Sequence, residues 1–384
     1  MLSTILCKFG TKARSINALR MRLIHQKQRI ASTDAAAWWC VNSQNIIYTE
    51  TDCKKYLLDS TSLDRKGTPD MFRWADPIIL KPKTVIIQSD VIVSGDSSAV
   101  YYPAFKKVSC DLHSQFSDYL TKYDMVSHDR IVKAATCNKL GGRVLFLGCS
   151  QGASNFWHWM HEVCARLVRV KKYFDLDYFD KVLIPPIGLN IWALDFMELI
   201  GLSRSQIVDS SSFFYVENMT TLNIDKVSSS FDLGDYFKSS MKPCKPCKVF
   251  LERSHASGIH KRQLLNFENY RQIYHSAGFI FVRPELLNPL EQIQLFLDAE
   301  AVVGASGSGF SLCGLMREYM QVVEIFSKHF LDPAIAMNCA VSSLRYGFFV
   351  ESGFRPADEN WDRNFNADID CNELDHDAIL DWIL

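Results

Sequence analysis

Four polar side chains recur at helical spacing in one short stretch of the sequence. Asn155, His158, Glu162 and Arg166 are three or four residues apart, which places them on one face of a helix. An imidazole with an ordinary pKa of about 6.5 suits a general base at neutral pH, so we expect His158 to take a proton and Glu162 to orient it. The reverse assignment stays open. Asn155 and Arg166 would support this site, the arginine as an anion binder. The simpler alternative, favoured by this stretch alone, is a surface helix with a solvated polar face.

A turn of small residues forms a second candidate site. It lies between a predicted strand at 301–303 and a helix predicted to run through Met320. Backbone amides in such a turn can approach an anion, and the helix N-terminus adds partial positive charge. The alternative is a tight turn that only packs the helix on the strand. The predicted anion cradle consists of Ser306, Gly307, Ser308 and Gly309.

Two arginines and a glutamate would complete a nucleotide site. Arg253 follows a predicted strand at 249–251, and Arg262 comes shortly after it. Two guanidinium groups at a sheet edge suit a diphosphate, which they bind through paired hydrogen bonds. Glu324, predicted to close the strand at 322–325, would accept hydrogen bonds from ribose hydroxyls. The alternatives are a solvated basic loop and an exposed glutamate at a strand end.

A competing motif predicts different chemistry. Residues 148–152 read Gly-Cys-Ser-Gln-Gly and fit the G-x-S-x-G elbow of α/β-hydrolases, with Ser150 as the nucleophile. A late histidine, His329 or His376, would then act as its base. The rest of such a triad has no signature in the sequence, so this hydrolase ranks second.

The composition limits the classes of protein to consider. The 384 residues are 48% hydrophobic and 22% charged, as in a globular protein of two domains. The net charge of −1 gives no electrostatic case for nucleic acid binding. The 12 cysteines are irregularly spaced and no secretory signal is evident, so we expect reduced thiols. Cys244 and Cys247 form one C-x-x-C pair without a second, which argues against a structural zinc site.

Short apolar strands alternate with amphipathic helices, which predicts an α/β fold. Asn288, Pro289 and Glu291 predict a capped helix start. The serine-rich, then proline- and cysteine-rich stretch at 228–248 is predicted to be a connection between domains. The predicted organisation is a basic N-terminal segment (1–33), an N-terminal domain (34–240), a C-terminal domain (241–345) and an acidic tail (346–384) whose final helix packs back.

The segment 1–33 holds seven lysines and arginines and no acidic residue. An apolar stripe among these charges is typical of an amphipathic helix on an anionic membrane surface. A docking helix or a disordered basic arm would carry the same pattern. The chain also has no apolar run of the roughly 18 residues that a membrane span needs.

These motifs, in this order, resemble glycosyltransferase family 61, the capsular polysaccharide biosynthesis type. The family shows N-[FY]-[FYW]-H-W-x-x-[DE]-x-x-x-R-L, then a strand ending in S-R, an R-x-x-x-N segment and a V-[IV]-E-[IL] strand. The resemblance covers roughly residues 140–345. Glu252-Arg253 takes the place of the S-R pair, and the matching residues are Asn155, His158, Trp159, Glu162, Arg166 and Leu167, then Arg262 and Asn266, then 322–325.

The resemblance implies a GT-B-like architecture, in which two Rossmann-like domains face each other across a cleft. The N-terminal domain would bind a glycan acceptor beside His158 and Glu162. The C-terminal domain would bind a nucleotide-sugar, expected to be a UDP-sugar, through the two arginines and the glycine turn. The reaction would be inverting and would need no metal or further cofactor. Such an enzyme is expected in the cytoplasm, with peripheral contact at the inner face of the membrane through 1–33.

The chain departs from the family at the glycine turn. Family members commonly show H-G-A-G-L-T-N there, whereas 306–312 reads Ser-Gly-Ser-Gly-Phe-Ser-Leu, without the histidine and the asparagine. A third interpretation therefore stays open, a relative that binds a nucleotide-sugar or glycan without transferring the sugar.

Overall fold

The computed structural model describes residues 29–30, 47–50, 55–56, 78–79, 83–97, 100–103, 107–109, 128–136, 138–149, 152–222, 228–253, 262–352 and 366–384. The predicted membrane-binding segment lies outside these ranges apart from a strand at Arg29–Ile30, and Ser150 also lies outside them. No helix in the described part of the chain has the length and apolar character needed to cross a lipid bilayer.

The first half of the described chain forms a ten-stranded mixed sheet. Strands β12, β9, β10 and β11 lie side by side and parallel, while β5 and β6 run antiparallel along the other edge of β12. Strands β3 and β4 pair separately. The strands are β1 (Arg29–Ile30), β2 (Ile47–Glu50), β3 (Lys55–Tyr56), β4 (Ile78–Ile79), β5 (Lys83–Gln88), β6 (Val91–Ser94), β7 (Val100–Tyr102), β8 (Lys107–Ser109), β9 (Lys139–Phe146), β10 (Lys181–Ile184), β11 (Ile207–Asp209) and β12 (Phe213–Leu222).

Helices connect the parallel strands of this sheet. Helix α1 is His128–Thr136, and α2 covers 156–170 between β9 and β10. Helix α3, Trp192–Leu199, joins β10 to β11 as predicted. Gly201 follows it with φ of 102°, a left-handed conformation that glycine adopts without strain and that commonly ends a helix.

The second half forms a five-stranded sheet in which every pair is parallel. The spatial order is β15-β13-β16-β17-β18, so its first strand in sequence lies between the second and the third. This is the doubly wound order, and its direction reverses between β13 and β16. The remaining strands are β13 (Cys247–Leu251), β14 (Leu264–Leu265), β15 (Phe279–Val282), β16 (Ala299–Ala305), β17 (Gln321–Phe326), β18 (Arg345–Val350) and β19 (Ile369–Asp370).

The predicted α/β fold is confirmed by these elements. The capping box at Asn288 is also confirmed, because Asn288 Oδ1 accepts from Glu291 N at 3.0 Å while Glu291 Oε2 accepts from Asn288 N at 2.8 Å. The helices of this half and the one that leads into it are α4 (Ser228–Ser240), α5 (Glu268–Ser276), α6 (Pro289–Asp298), α7 (Ala334–Val341) and α8 (His376–Ile383).

Two local predictions were wrong. The stretch predicted as a connection begins with α4, a helix of 13 residues. Leu233 and Phe237 on that helix are buried in the core, and this burial outweighs the weak helix propensity of its serines. The segment after the glycine turn is a short 3₁₀ helix, Ser308–Leu315, that ends before Met320.

The halves share one apolar core. Its largest cluster joins Leu145 and Trp159 of the first half to Val249 and Phe310 of the second. Helix α2 packs directly against the 3₁₀ helix that follows the glycine turn, and both contact α4. The two stretches with candidate chemistry are therefore neighbours in space.

Candidate active site

Helix α2 begins just beyond the carboxyl end of β9. The Asn155 side chain accepts a hydrogen bond from Trp157 N at 2.9 Å and so caps the first turn. The middle of the helix, Trp159–Cys164, is π-helical, a widened turn that often marks a functional site. Asn155 therefore supports the predicted site by fixing the start of the helix that carries it.

The predicted histidine–carboxylate pair is present in this helix. His158 Nδ1 lies 2.5 Å from Glu162 Oε1. The His158 side chain is 13% exposed, whereas Glu162 is fully buried. Because Nδ1 is engaged by the carboxylate, Nε2 is the ring nitrogen left to meet a substrate. The alternative of a solvated polar face is wrong, since Glu162 and Arg166 are both buried.

Cys149 holds the second oxygen of the same carboxylate. Its Sγ donates to Glu162 Oε2 at 2.8 Å and accepts from Gly152 N at 3.3 Å. Glu162 is thus fixed on both oxygens and cannot turn away from His158. This partner could not be recognised from the sequence, where Cys149 has the character of a small buried hydrophobe at the end of a strand.

Arg166 lies one turn beyond Glu162 and is buried. Its Nε donates to the main-chain oxygen of Glu162, and its Nη2 donates to Gly148 O at 2.7 Å. Burial lowers the pKa of Arg166 to about 10, against the opposing effects of Cys149 and Glu162, so the group remains cationic at neutral pH. It ties the segment after β9 to the helix and places positive charge near Glu162, rather than facing an anion in solution.

Three side chains at this site could also hold a metal ion. Cys149, His158 and Glu162 each offer a ligand atom, and these atoms lie within 4.8 Å of one another. A thiolate, an imidazole and a carboxylate are typical ligands of Zn²⁺. The nearby cationic Arg166 raises the electrostatic cost of a metal ion at this position.

The second candidate site lies where the order of the second sheet reverses. Arg253 follows β13, and the glycine turn follows β16, so both leave the carboxyl edge at the switch point. Ligands of doubly wound sheets bind in the crevice at this position. Ser306 N donates to Ile325 O at 2.8 Å, which anchors the start of the turn to β17.

Arg253 and Arg262 converge on one oxygen. Their Nη1 atoms lie 3.1 and 3.0 Å from Ser306 O. Burial lowers the pKa of Arg253 to about 10, and the charge of Arg262 lowers it further. Burial also lowers the pKa of Arg262. Two partly desolvated cations that repel each other form a site that an anion would stabilise.

Gly307 makes room for this arrangement. A Cβ at position 307 would lie 2.8 Å from Nη2 of Arg253, closer than such contacts allow. The predicted cradle is therefore adjacent to the arginines. Ser306 is buried, and Gly307, Ser308 and Gly309 are half-buried.

Glu324 is placed differently from its prediction. It lies inside β17, which continues two residues further to Phe326, and its side chain is fully buried. Tyr346 Oη donates to Glu324 Oε2 at 2.8 Å. Burial raises the pKa of Glu324 to about 8. One oxygen of Glu324 therefore has a partner within the fold, and its role toward a ribose stays a prediction.

The hydrolase motif gains no support from the described residues. Ser150 lies outside them, and one of its two candidate bases is already engaged. His376 Nδ1 lies 2.9 Å from Tyr274 Oη, and its Nε2 lies 2.8 Å from Cys371 O. With both ring nitrogens occupied within the second half, His376 is placed as a structural histidine.

Residues 156–323 match the family model described as Glycosyltransferase 61. This stretch is similar to that family. The match starts with α2 and includes His158, Glu162, Arg253, Arg262 and the glycine turn. No curated protein matches the chain. The family match supports glycosyltransferase chemistry, which uses a sugar donor and an acceptor.

Proposed function

We propose that this protein is an inverting glycosyltransferase that uses a nucleotide-sugar, with UDP as the expected nucleotide, and extends a glycan in polysaccharide biosynthesis. The observation that carries the proposal is the convergence of Arg253 and Arg262 on Ser306 O at the switch point of a doubly wound sheet. This anion site lies within the stretch that is similar to glycosyltransferase family 61.

His158 acts as the general base in this mechanism. Its Nε2 accepts the proton of an acceptor hydroxyl while that oxygen attacks the anomeric carbon. The new carbon–oxygen bond forms as the bond from the anomeric carbon to the diphosphate oxygen breaks. Attack from the face opposite the leaving group inverts the anomeric configuration. Glu162, fixed by Cys149, stabilises the imidazolium that forms.

The leaving nucleoside diphosphate carries away the electron pair of the broken bond. Arg253 and Arg262 neutralise its charge, and backbone amides around Ser308 and Gly309 donate to its oxygens. In this scheme the two guanidinium groups neutralise the negative charge of the diphosphate, as a divalent metal ion does in other transferases. Peripheral contact with the inner face of a membrane through residues 1–33 is part of the same proposal.

The test is acceptor-dependent release of nucleotide. The protein is incubated with each of a panel of UDP-sugars, with and without glycan acceptors, and free UDP is measured by chromatography. We expect one donor to give UDP release that rises with acceptor, persists in EDTA and yields a product of inverted anomeric configuration. UDP binding with neither release nor transfer on any pair would establish the non-catalytic relative instead. Retention of configuration would overturn the inverting mechanism.

A further inference from the structure

A second histidine of helix α2, His161, lies three residues after the proposed base. His161 is 1% exposed and lies among the apolar residues of the helix. Its ring centroid is 4.8 Å from that of Trp157. A buried imidazole needs hydrogen-bond partners, and among the described residues His161 meets polar groups on other elements of the fold.

These polar groups lie on three different elements. His161 Nδ1 is 2.8 Å from Ser229 Oγ on α4, and Nε2 is 3.0 Å from Ser311 O in the 3₁₀ helix after the glycine turn. The amide of Asn338 on α7 lies 3.3 Å from the same Nε2 through Nδ2, and because Nδ2 is itself a donor it makes no hydrogen bond to a protonated Nε2. The carbonyl of Ser311 can only accept, so Nε2 carries a proton and donates to it. In the neutral ring, Nδ1 then accepts from the Ser229 hydroxyl.

The bond to Ser311 connects the two halves of the candidate site. Ser311 Oγ donates to Ser308 O at 2.6 Å, so the 3₁₀ turn that contains the last two cradle residues, Ser308 and Gly309, is closed by the residue that His161 holds. On the other side, His161 belongs to the same π-helical segment as Glu162. One side chain therefore fixes the distance between the base and the anion cradle.

We propose that His161 is a positioning residue that aligns the donor turn with the base. This role rests on the proposed function, because alignment matters only if the cradle holds the donor whose anomeric carbon the acceptor attacks. A displacement of about 1 Å between reacting groups lowers rates by about 100-fold. Loss of the Nε2–Ser311 bond is therefore expected to reduce kcat far more than it reduces stability.

The test uses two substitutions of His161, one that keeps the hydrogen bond to Ser311 O and one that loses it. In His161→Gln the amide nitrogen reaches the position of Nε2 and can still donate to Ser311 O. In His161→Asn the shorter side chain reaches only the position of Nδ1, so the bond to Ser311 is lost. His376→Asn is the matched control, because His376 is also a buried histidine with two hydrogen bonds and packs in the core of the second half.

Two readouts keep this role distinct from the proposed function. Hydrogen exchange of the peptide covering 308–315, measured without any ligand, is expected to be faster in His161→Asn and unchanged in His161→Gln and His376→Asn. Steady-state kinetics with the active donor are expected to show a kcat at least tenfold lower in His161→Asn, with wild-type kcat in His161→Gln.

An equal loss of kcat in His376→Asn would overturn the role of His161. Wild-type kcat and wild-type hydrogen exchange in His161→Asn would overturn it as well. If wild type transfers no sugar, the proposed function fails, and exchange alone decides whether His161 holds the turn.

Discussion

His158 Nδ1 lies 2.5 Å from Oε1 of Glu162, one helical turn away. The carboxylate is fully buried and its other oxygen is held by Cys149, so the position of the imidazole is set before any substrate binds. Fixed groups of this kind need no reorganisation during the reaction, and for that reason the pair fits a general base better than a solvated helix face.

The first prediction concerns the tautomer of His158. In Glu162→Gln an amide replaces the carboxylate and can donate to Nδ1, which leaves the proton on Nε2 and blocks its action as a base. We expect kcat to fall by about 10²–10⁴-fold while the donor KM changes little. Steady-state release of nucleotide in the presence of acceptor measures both values.

Glu198→Gln is the control for this change, because Glu198 is an exposed carboxylate paired with Arg204 on the first half of the chain. We expect it to keep the wild-type rate. A Glu162→Gln protein with wild-type kcat would remove Glu162 from the mechanism.

The second prediction concerns the space that Gly307, which has no side chain, leaves for the guanidinium of Arg253. In Gly307→Ala the added Cβ would lie 2.8 Å from Arg253 Nη2, so the guanidinium must move away from Ser306 O. We expect the Kd for the nucleotide to rise at least tenfold and the unfolding midpoint to fall, because Gly307 also has φ of 158° and ψ of −175°, a backbone conformation that residues with a Cβ rarely adopt. Titration calorimetry with UDP measures the affinity.

Gly278→Ala provides the matched comparison, since Gly278 also has a positive φ, of 86°, and nothing lies within 4 Å of a Cβ built there. It is expected to bind UDP like wild type. Unchanged affinity in Gly307→Ala would show that the position of Arg253 does not determine binding.

Several elements could be predicted from local sequence, and others could not. The box at Asn288 and the end of α3 at Gly201 depend on side-chain and backbone chemistry within one turn, and both are present. The helical spacing of His158 and Glu162 likewise predicted a contact that the structure contains.

What the sequence did not reveal depends on distant residues. Cys149 and Glu162 meet because a strand end faces a helix, and Tyr346 reaches Glu324 across neighbouring strands. Helix α4 forms because burial of Phe237 outweighs a serine-rich composition. The sequence gives one signal for the role of His161, its position among apolar residues of a helix. A buried imidazole requires hydrogen-bond partners, which here lie on distant elements.

The third prediction follows from the buried carboxyl group of Glu324. Burial raises its pKa from about 4.5 to about 8, so between these values the folded protein binds a proton that the unfolded chain releases. The free energy of unfolding therefore falls as pH rises from about 4.5 to about 8, with a limiting slope of about 1.4 kcal/mol per pH unit for one proton. Denaturant unfolding across this pH range measures it.

In Glu324→Gln the side chain is neutral at every pH and still accepts from Tyr346. We expect this variant to lose the pH-dependent decline and to be more stable than wild type at pH 8. Glu300→Gln, a substitution of an exposed carboxylate paired with Arg317, should keep the wild-type profile. If the free energy of unfolding of Glu324→Gln falls with pH as it does in wild type, another group causes the decline.

The measurement that tests the central claim most directly is thermal unfolding with and without UDP for wild type, Arg253→Ala and Arg204→Ala. A ligand at about 100 times its Kd stabilises the folded state by about 2.7 kcal/mol. We predict that UDP raises the midpoint of wild type and of Arg204→Ala, whose exposed arginine lies outside the site, and that Arg253→Ala loses this rise. If neither UDP nor any other nucleoside diphosphate raises the wild-type midpoint, the nucleotide-sugar site does not exist as described.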